Sequence, residues 1–415
     1  MTAGKRLTFF AVLLLVAAGL AEVTLRIAAH FWPKPDYRLT APIAPTVPDA
    51  QLGIRGNPAY PGHDAKGFRN PYVPDTASVV ALGDSQTYGV GVLPDQAWPR
   101  QSEQLSGLTT YSMALGSYGP THSLLLLDDA LALHPKLVIE AFYAGNDLFD
   151  SYAHVYRNGQ LPELKSVDRA VLHEIDSAEA AGPLEEKTRN LFQAALLWTE
   201  PPPPPADTLW DVLGDEVQLL HLAREFGHRV ALATGRYGHD QRQFDEEYWA
   251  TVKREVRRAV DQRTLVESGQ LRTVLTPAYR LCAVDLSDPR IAEGLRISLD
   301  AIGRMNERVH AAHAAFAVLL LPTKESVFAG VEADTMPSAP VLRSVVENED
   351  ALWRRMKQTL EREGIPFVDA LPPLRARVAA GQQPYPVSWD GHPNEVGHRT
   401  IAELIASTTP RLVRQ

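Results

Sequence analysis

A serine hydroxyl is a poor nucleophile until a base takes its proton, and the base must itself be oriented by a third group. Three short stretches of this sequence hold the residue types required. Gly83-Asp84-Ser85 follows the apolar run Val79-Val80-Ala81-Leu82, so a serine emerges where a buried strand meets a sharp turn. Near the carboxyl end, Trp389-Asp390-Gly391-His392-Pro393-Asn394 sets a carboxylate two positions before a histidine, in a turn formed by Gly391 and Pro393. An anionic intermediate also has to be held. Asn146, in Ala144-Gly145-Asn146-Asp147, can donate its side-chain amide, and the turn Leu115-Gly116-Ser117-Tyr118-Gly119 can offer backbone N–H groups. The chemistry that fits is acyl transfer through a serine ester.

These parts need elements that bring them to one place. Apolar runs at Ser78 to Leu82, Thr109 to Ala114, Lys136 to Tyr143, Phe316 to Leu321 and Ile365 to Val368 have the length and composition of buried strands. Helical signals separate them, at Gln96 to Leu105, from Pro120 through Ser123 to Leu133, and at Pro289 to His313. Strands apolar on both faces and alternating with helices specify an α/β fold with a parallel sheet covered on both sides. Asn394-Glu395 starts a last helix, which presents His392 at its approach. The long stretch 148–314 between the third and fourth strands adds helical candidates at Val217 to Phe226 and Asp245 to Gln262, a short strand at His228 to Thr234 and the run Pro201 to Pro205. It is expected to form a cap over Ser85, since long loops at the carboxyl edge of a sheet often wall a substrate site. Other polar residues are read as structural: Asp84 fixes the corner, His122 sits in a first helical turn, His398 is a surface or packing residue of the last helix, and Lys324-Glu325 belongs to a solvated loop, with contact to an anionic substrate as the alternative.

With Gly83-Asp84-Ser85, a glycine turn, Gly145-Asn146-Asp147 and a terminal Asp-His in that order, the chain resembles the SGNH, or GDSL-type, hydrolase family from about residue 49 onward. The approach Leu52 to Asn70 is similar to the membrane-anchored bacterial branch. The resemblance implies a three-layer, flavodoxin-like sheet and ester chemistry, with Ser85 as nucleophile, His392 as base and Asp390 as its orienting acid. It also implies an oxyanion hole built from the Ser85 N–H, a second-block N–H and the Asn146 amide. Two departures stand out. The family's commoner spacing puts the acid three residues before the histidine, whereas Asp390-Gly391-His392 is similar to the Asp-x-His of alginate-type O-acetyltransferases. In the second block the family asparagine falls near Ser112, so that the N–H donor is Gly116 or Ser117.

The amino terminus bears on the compartment. Lys5 and Arg6 precede an apolar run from Leu7 to Ala21, interrupted at Glu22 and Arg26 and resuming to Trp32. Residues 1–32 are expected to be an uncleaved signal anchor that exports the rest of the chain, with cleavage after Ala21 as the alternative. Residues 33–76, rich in proline, are expected to tether a hydrolase domain spanning 77–415. A net charge of -9 over 415 residues argues against a nucleic-acid partner. Cys282 has no partner cysteine, which excludes an intrachain disulfide, and its apolar neighbours suit a buried thiol. No metal-ligand spacing and no phosphate-binding glycine pattern is present, so no cofactor is expected. Together these features are expected to make a serine esterase acting on acyl, above all acetyl, esters of an envelope or extracellular glycan. An O-acetyltransferase of exopolysaccharide and a non-catalytic carbohydrate-binding module are the alternatives.

Overall fold

The computed structural model describes residues 43–196, 263–331 and 339–413, with scattered residues between 5 and 24 and between 249 and 256. The helical candidate 217–226, most of 245–262, the strand candidate 228–234 and the proline run 201–205 lie outside the described residues. The chain divides into two compact units, 1–44 with 200–237 and 45–199 with 238–415. In the first, residues 16–24 are helical, and among the described residues no helix is long and apolar enough to cross a membrane.

The second unit is built on five parallel strands: β3 (Val79–Gly83), β4 (Thr110–Ala114), β5 (Leu137–Tyr143), β8 (Ala315–Leu321) and β9 (Phe367–Asp369). Their spatial order is β4-β3-β5-β8-β9, which in chain order is the 2-1-3-4-5 arrangement of flavodoxin-like sheets. Val79 pairs with Thr110 on one side and Leu137 on the other, and Leu137 pairs with Ala315, so the strands end together at one edge. The residues of β3 alternate between two apolar layers, as the period of a strand requires. Val80 and Leu82 join Leu127 of α3 (Pro120–Leu131), Leu148 of α4 (Asp147–Tyr156), Leu295 of α8 (Pro289–Ala311) and Met356 of α10 (Ala339–Arg362). Val79 and Ala81 join Trp98 of α2 (Trp98–Ser106), Leu374 of α11 (Leu371–Ala379) and Ile401 and Ile405 of α12 (Glu395–Leu412). Each such aliphatic side chain, fully buried, stabilises the sheet by about 1.5–3 kcal/mol.

Two boundaries differ from those the sequence suggested. Residues 45–76, assigned to the tether, belong to the compact unit. They start with the hairpin β1 (Thr46–Asp49) and β2 (Gly53–Gly56) and then cover the edge strand β4. Asn70 bonds both the N–H and the C=O of Ser112 at 3.0 and 2.9 Å, replacing a neighbouring strand, and Asp64 accepts from the Tyr111 hydroxyl at 2.8 Å. Within 148–314, α4 and α8 are not cap but the helices that cover the sheet. A parallel connection from β5 to β8 must cross over one face, and α8 does so. The rest of the described stretch holds α5 (Arg169–Ala181), α6 (Leu184–Leu196), a hairpin of β6 (Thr264–Ser268) and β7 (Leu271–Leu275), and α7 (Pro277–Val284). Cys282 is buried there, and burial raises its thiol pKa.

Helix α8 approaches α4 so closely that a Cβ on Gly294 would stand 2.0 Å from the Leu148 carbonyl oxygen. In an open helix Gly→Ala stabilises by roughly 1 kcal/mol; here Gly294→Ala should destabilise by about 1–3 kcal/mol in urea unfolding. A variant as stable as wild type would show that the two helices stand further apart. Glu140, in the middle of β5, is fully buried, and neither of its carboxyl oxygens has a hydrogen-bond partner among the described residues. Burial pushes its pKa up to about 8, with the Ser123 hydroxyl opposing. The folded protein therefore holds a proton that the unfolded chain releases above its ordinary value of 4.5, and stability is lost as pH rises toward 8. Glu140→Gln removes this loss, so its stability relative to wild type should grow between those limits by on the order of a few kcal/mol. A difference independent of pH would mean that Glu140 ionises normally.

Candidate active site

Strand β3 ends at Gly83, whose φ of +146° suits glycine and whose Cβ would lie 3.0 Å from the Ala141 carbonyl oxygen of β5. Asp84 follows as the amino-terminal cap of α1 (Ser85–Tyr88), its carboxylate accepting from the Gln86 N–H at 2.8 Å. It fixes the corner from which Ser85 projects. The Asp84 carboxyl is fully buried, and burial raises its pKa to about 6 against the opposing Gln86 N–H.

The other half of the site comes from the loop before α12. Asn394 caps that helix, accepting from the N–H groups of Val396 and Gly397 at 3.0 and 3.2 Å. Ahead of it, His392 Nε2 lies 2.9 Å from Ser85 Oγ, and His392 Nδ1 lies 2.6 Å from Asp390 Oδ1. The same carboxylate oxygen accepts from the His392 backbone N–H at 3.0 Å. That turn explains how a carboxylate only two positions ahead can reach the ring: an aspartate folded onto the N–H two residues on stands under its imidazole. Burial acts to raise the Asp390 pKa, but the His392 charge and its two N–H bonds, with Lys324 adding, hold it down to about 2. Asp84 Oδ2, at 3.5 Å from Ser85 Oγ, is too far to compete for the hydroxyl.

The expected oxyanion donors lie on the same edge. Gly116 stands against Ser85, since a Cβ built on it would be 3.9 Å from the Ser85 Cβ. Ser117, with φ +65°, is exposed. Asn146 stands at the amino-terminal cap position of α4 without its side chain bonding a helix N–H, and its Nδ2 donates to Asp150 Oδ2 at 2.5 Å. An amide nitrogen carries two hydrogens, and since Asn146 also bonds the Asp84 carboxyl and lowers its pKa, the second serves an oxyanion only by turning from that acid. Burial raises the pKa values of both Asp147 and Asp150, and Asp147 also accepts from the Tyr143 N–H at 2.8 Å.

Three buried residues that border this site, Arg280, Lys324 and Glu325, were not assigned to it from the sequence. Arg280 of α7 reaches in from the 148–314 stretch, donating to the Gly145 carbonyl at 3.3 Å and lying 4.8 Å from the Tyr279 ring centroid. Its Nη2 would be 2.4 Å from a Cβ on Gly391, so a side chain at that turn would have to push the guanidinium aside. Nothing near Arg280 in the sequence marks it, because the parts of the site it meets, Gly145 and Gly391, stand more than a hundred residues away. Lys324 and Glu325, read as solvated, are each 1% exposed. The available signal was their position directly after β8, on the edge where β3 presents Ser85. Phe192 of α6 packs edge-on to Trp389 at 6.0 Å and lies 5.4 Å from Tyr279, so parts of the 148–314 stretch do border the loop that carries Asp390. His398 is buried and accepts from the Trp98 N–H at 3.2 Å, a packing role, and His122 stacks between Tyr118 and His154.

No protein-family model and no curated protein matches the sequence. Among solved structures the chain is similar to an extracellular lipase from Streptomyces rimosus, at 12% identity and a TM-score of 0.39 over 80% of this chain and 99% of that one. It is also similar to an alpha/beta hydrolase enzyme from the metagenome of Lake Arreo, at 10% identity and a TM-score of 0.34 over 82% and 98% of the two chains. A catalytic mutant of an acetylxylan esterase from Geobacillus stearothermophilus gives 10% identity and a TM-score of 0.33 over 82% and 95%. At likenesses of this size, the chemistry of the site rests on its own geometry.

Proposed function

We propose that the chain is a serine esterase of the SGNH type, cleaving acyl esters through an acyl-enzyme on Ser85. The observation that carries this reading is the unbroken chain from Asp390 through His392 to Ser85, with steps of 2.6 and 2.9 Å. His392 Nε2 takes the Ser85 proton as Oγ attacks the ester carbonyl. The tetrahedral oxyanion is held by the N–H groups of Ser85 and Gly116 and by Asn146 Nδ2. We assign that role to Gly116 rather than Ser117 because Gly116 is half-buried beside Ser85 whereas Ser117 is exposed. The imidazolium then returns its proton to the leaving alkoxide, and water repeats the sequence in reverse to free the acid.

The substrate we favour is an acetyl ester on an envelope or extracellular glycan. Lys5, Arg6 and the apolar run Leu7 to Ala21 favour an exported domain anchored to the membrane, where such polymers lie. The aromatic rings of Phe192, Tyr279 and Trp389 beside the Asp390 loop suit the faces of sugar rings. The closely spaced Asp390-Gly391-His392 favours one second reading, an O-acetyltransferase in which a sugar hydroxyl replaces water on the same acyl-enzyme. A binding module that merely keeps the fold has no need of an aligned nucleophile and base.

Wild-type protein should react with a fluorophosphonate probe at Ser85, and Ser85→Ala should not react; equal labelling of both would remove Ser85 from the mechanism. On p-nitrophenyl acetate, His392→Ala should lose nearly all turnover. Asp390→Asn should lose at least about 10²-fold in kcat with little change in KM. A much smaller loss, or one matched by a stably folded Asp84→Asn, would mean that another carboxylate orients the histidine. Acetylated oligosaccharide supplied with and without a second glycan separates hydrolysis from transfer by its products.

A further inference from the structure

Strand β8 ends at Leu321, and after Pro322-Thr323 the chain turns into α9 (Lys324–Phe328). A lysine ammonium taken out of water is costly unless its hydrogens are bonded. Lys324 Nζ donates to three backbone carbonyls, those of Pro386 at 3.1 Å, Ser388 at 2.7 Å and Asp390 at 3.0 Å. All three belong to the loop that carries the acid and leads into His392. They fall on every second residue, so one charged group gathers three carbonyls of a single loop, of which that of Pro386 also accepts from the Thr273 hydroxyl at 2.8 Å. An ammonium has three N–H donors for three acceptors, whereas a neutral amine has two and would release one carbonyl.

The post on which Lys324 stands is itself anchored. Glu349 of α10 accepts from the N–H and hydroxyl of Thr323 at 3.0 and 2.5 Å and from the Ser326 hydroxyl at 2.6 Å. Arg375 of α11 donates to the Ser326 carbonyl at 3.0 Å. The charged groups facing Lys324 are Glu325, which lies 3.8 Å from Arg280, then Asp390 and Arg280 itself.

We propose that Lys324 is a positioning residue for the ester chemistry: its ammonium clamps the loop 386–390 to the carboxyl end of β8, so that Asp390 stays under His392 while the imidazole gains and loses a proton. The clamp rests on the Ser85 esterase reading above and adds to it a residue outside the Ser-His-Asp set. Its charge also helps to hold Asp390 ionised. Burial pulls the Lys324 pKa down to about 7, with Glu325 and Asp390 opposing and Arg280 adding to the fall. The clamp therefore weakens on the alkaline side, below the ordinary lysine range of about 10.4.

The test compares wild type with Lys324→Met, which keeps the length of the side chain and removes the charge and donors. Three readouts are needed: kcat and KM on p-nitrophenyl acetate across pH, the rate of fluorophosphonate labelling, and the thermal melt. We expect kcat of the variant to fall by about 10- to 10²-fold, the range that a small misplacement of catalytic groups costs, with KM nearly unchanged and labelling slowed in parallel. Wild type should show an alkaline limb in kcat that the variant lacks. A folded variant with wild-type kcat, a loss carried wholly by KM, or the same alkaline limb in both proteins would overturn the clamp. If Lys324→Met does not fold, the wild-type profile decides alone, and a kcat that stays flat to about pH 10 overturns it. Absence of Ser85 labelling in wild type would take down the esterase reading and the clamp with it; equal labelling rates in the two proteins would take down the clamp alone.

Discussion

The hydrogen bond between Ser85 Oγ and His392 Nε2 joins residues 307 positions apart, and most of the architecture is what holds it at 2.9 Å. A parallel sheet makes that possible, because all its strands end at one edge. The ends of β4, β3, β5 and β8 place Gly116, Ser85, Asn146 and Lys324 along it in succession. The histidine comes from outside the sheet, on a loop between α11 and α12. Its position depends on contacts that reach across to it: the Asn394 cap on one side, Arg280 packed over Gly391 on another, and the Lys324 bonds beneath.

Burial then sorts the carboxyl groups by role. Asp84 stands next to Ser85, Asp147 and Asp150 interact with Asp84, and each of the three has its pKa raised by loss of solvent. Asp390 alone among the acids around the serine is held low, because it has a cation to face and two N–H groups to accept from. A carboxyl that stays ionised at neutral pH can hold the imidazolium, whereas one that takes up a proton there loses that hold. The electrostatics set Asp147 and Asp150 aside, whereas Asp84, with a pKa of about 6, is set aside by its 3.5 Å distance from the Ser85 hydroxyl and by its bond to the Gln86 N–H. They also give Asp84 a structural task, as the cap that starts α1 and turns Ser85 toward the histidine.

How much of this was legible in the sequence depends on the range over which each signal acts. Strands β3, β4, β5 and β8 were legible because continuous apolar runs ending in glycine or proline carry their own boundaries. Ser85, Asn146 and His392 were legible because each stands in a short turn motif. The hairpin of β6 and β7 was missed, since Glu267-Ser268-Gly269-Gln270 gives only a weak turn cue between two short strands. The docking of 45–76 did not show in its composition, because prolines in that stretch look the same in a tether as in a segment pinned by Asp64 and Asn70. Lys324 and Arg280 were illegible for a deeper reason. Charged residues are mostly exposed, and only the distant carbonyls that pair them make burial affordable.

The central claim is that one acyl group passes through the Ser85 hydroxyl, and it can be tested by trapping the intermediate. Wild-type protein would be mixed with p-nitrophenyl acetate, quenched in acid during turnover, and digested for mass spectrometry. The account predicts one acetyl group on the peptide that contains Ser85, accumulating within the first turnover and absent from Ser85→Ala. Acetylation of any other residue at the rate of turnover, or turnover with Ser85 unmodified throughout, would contradict it.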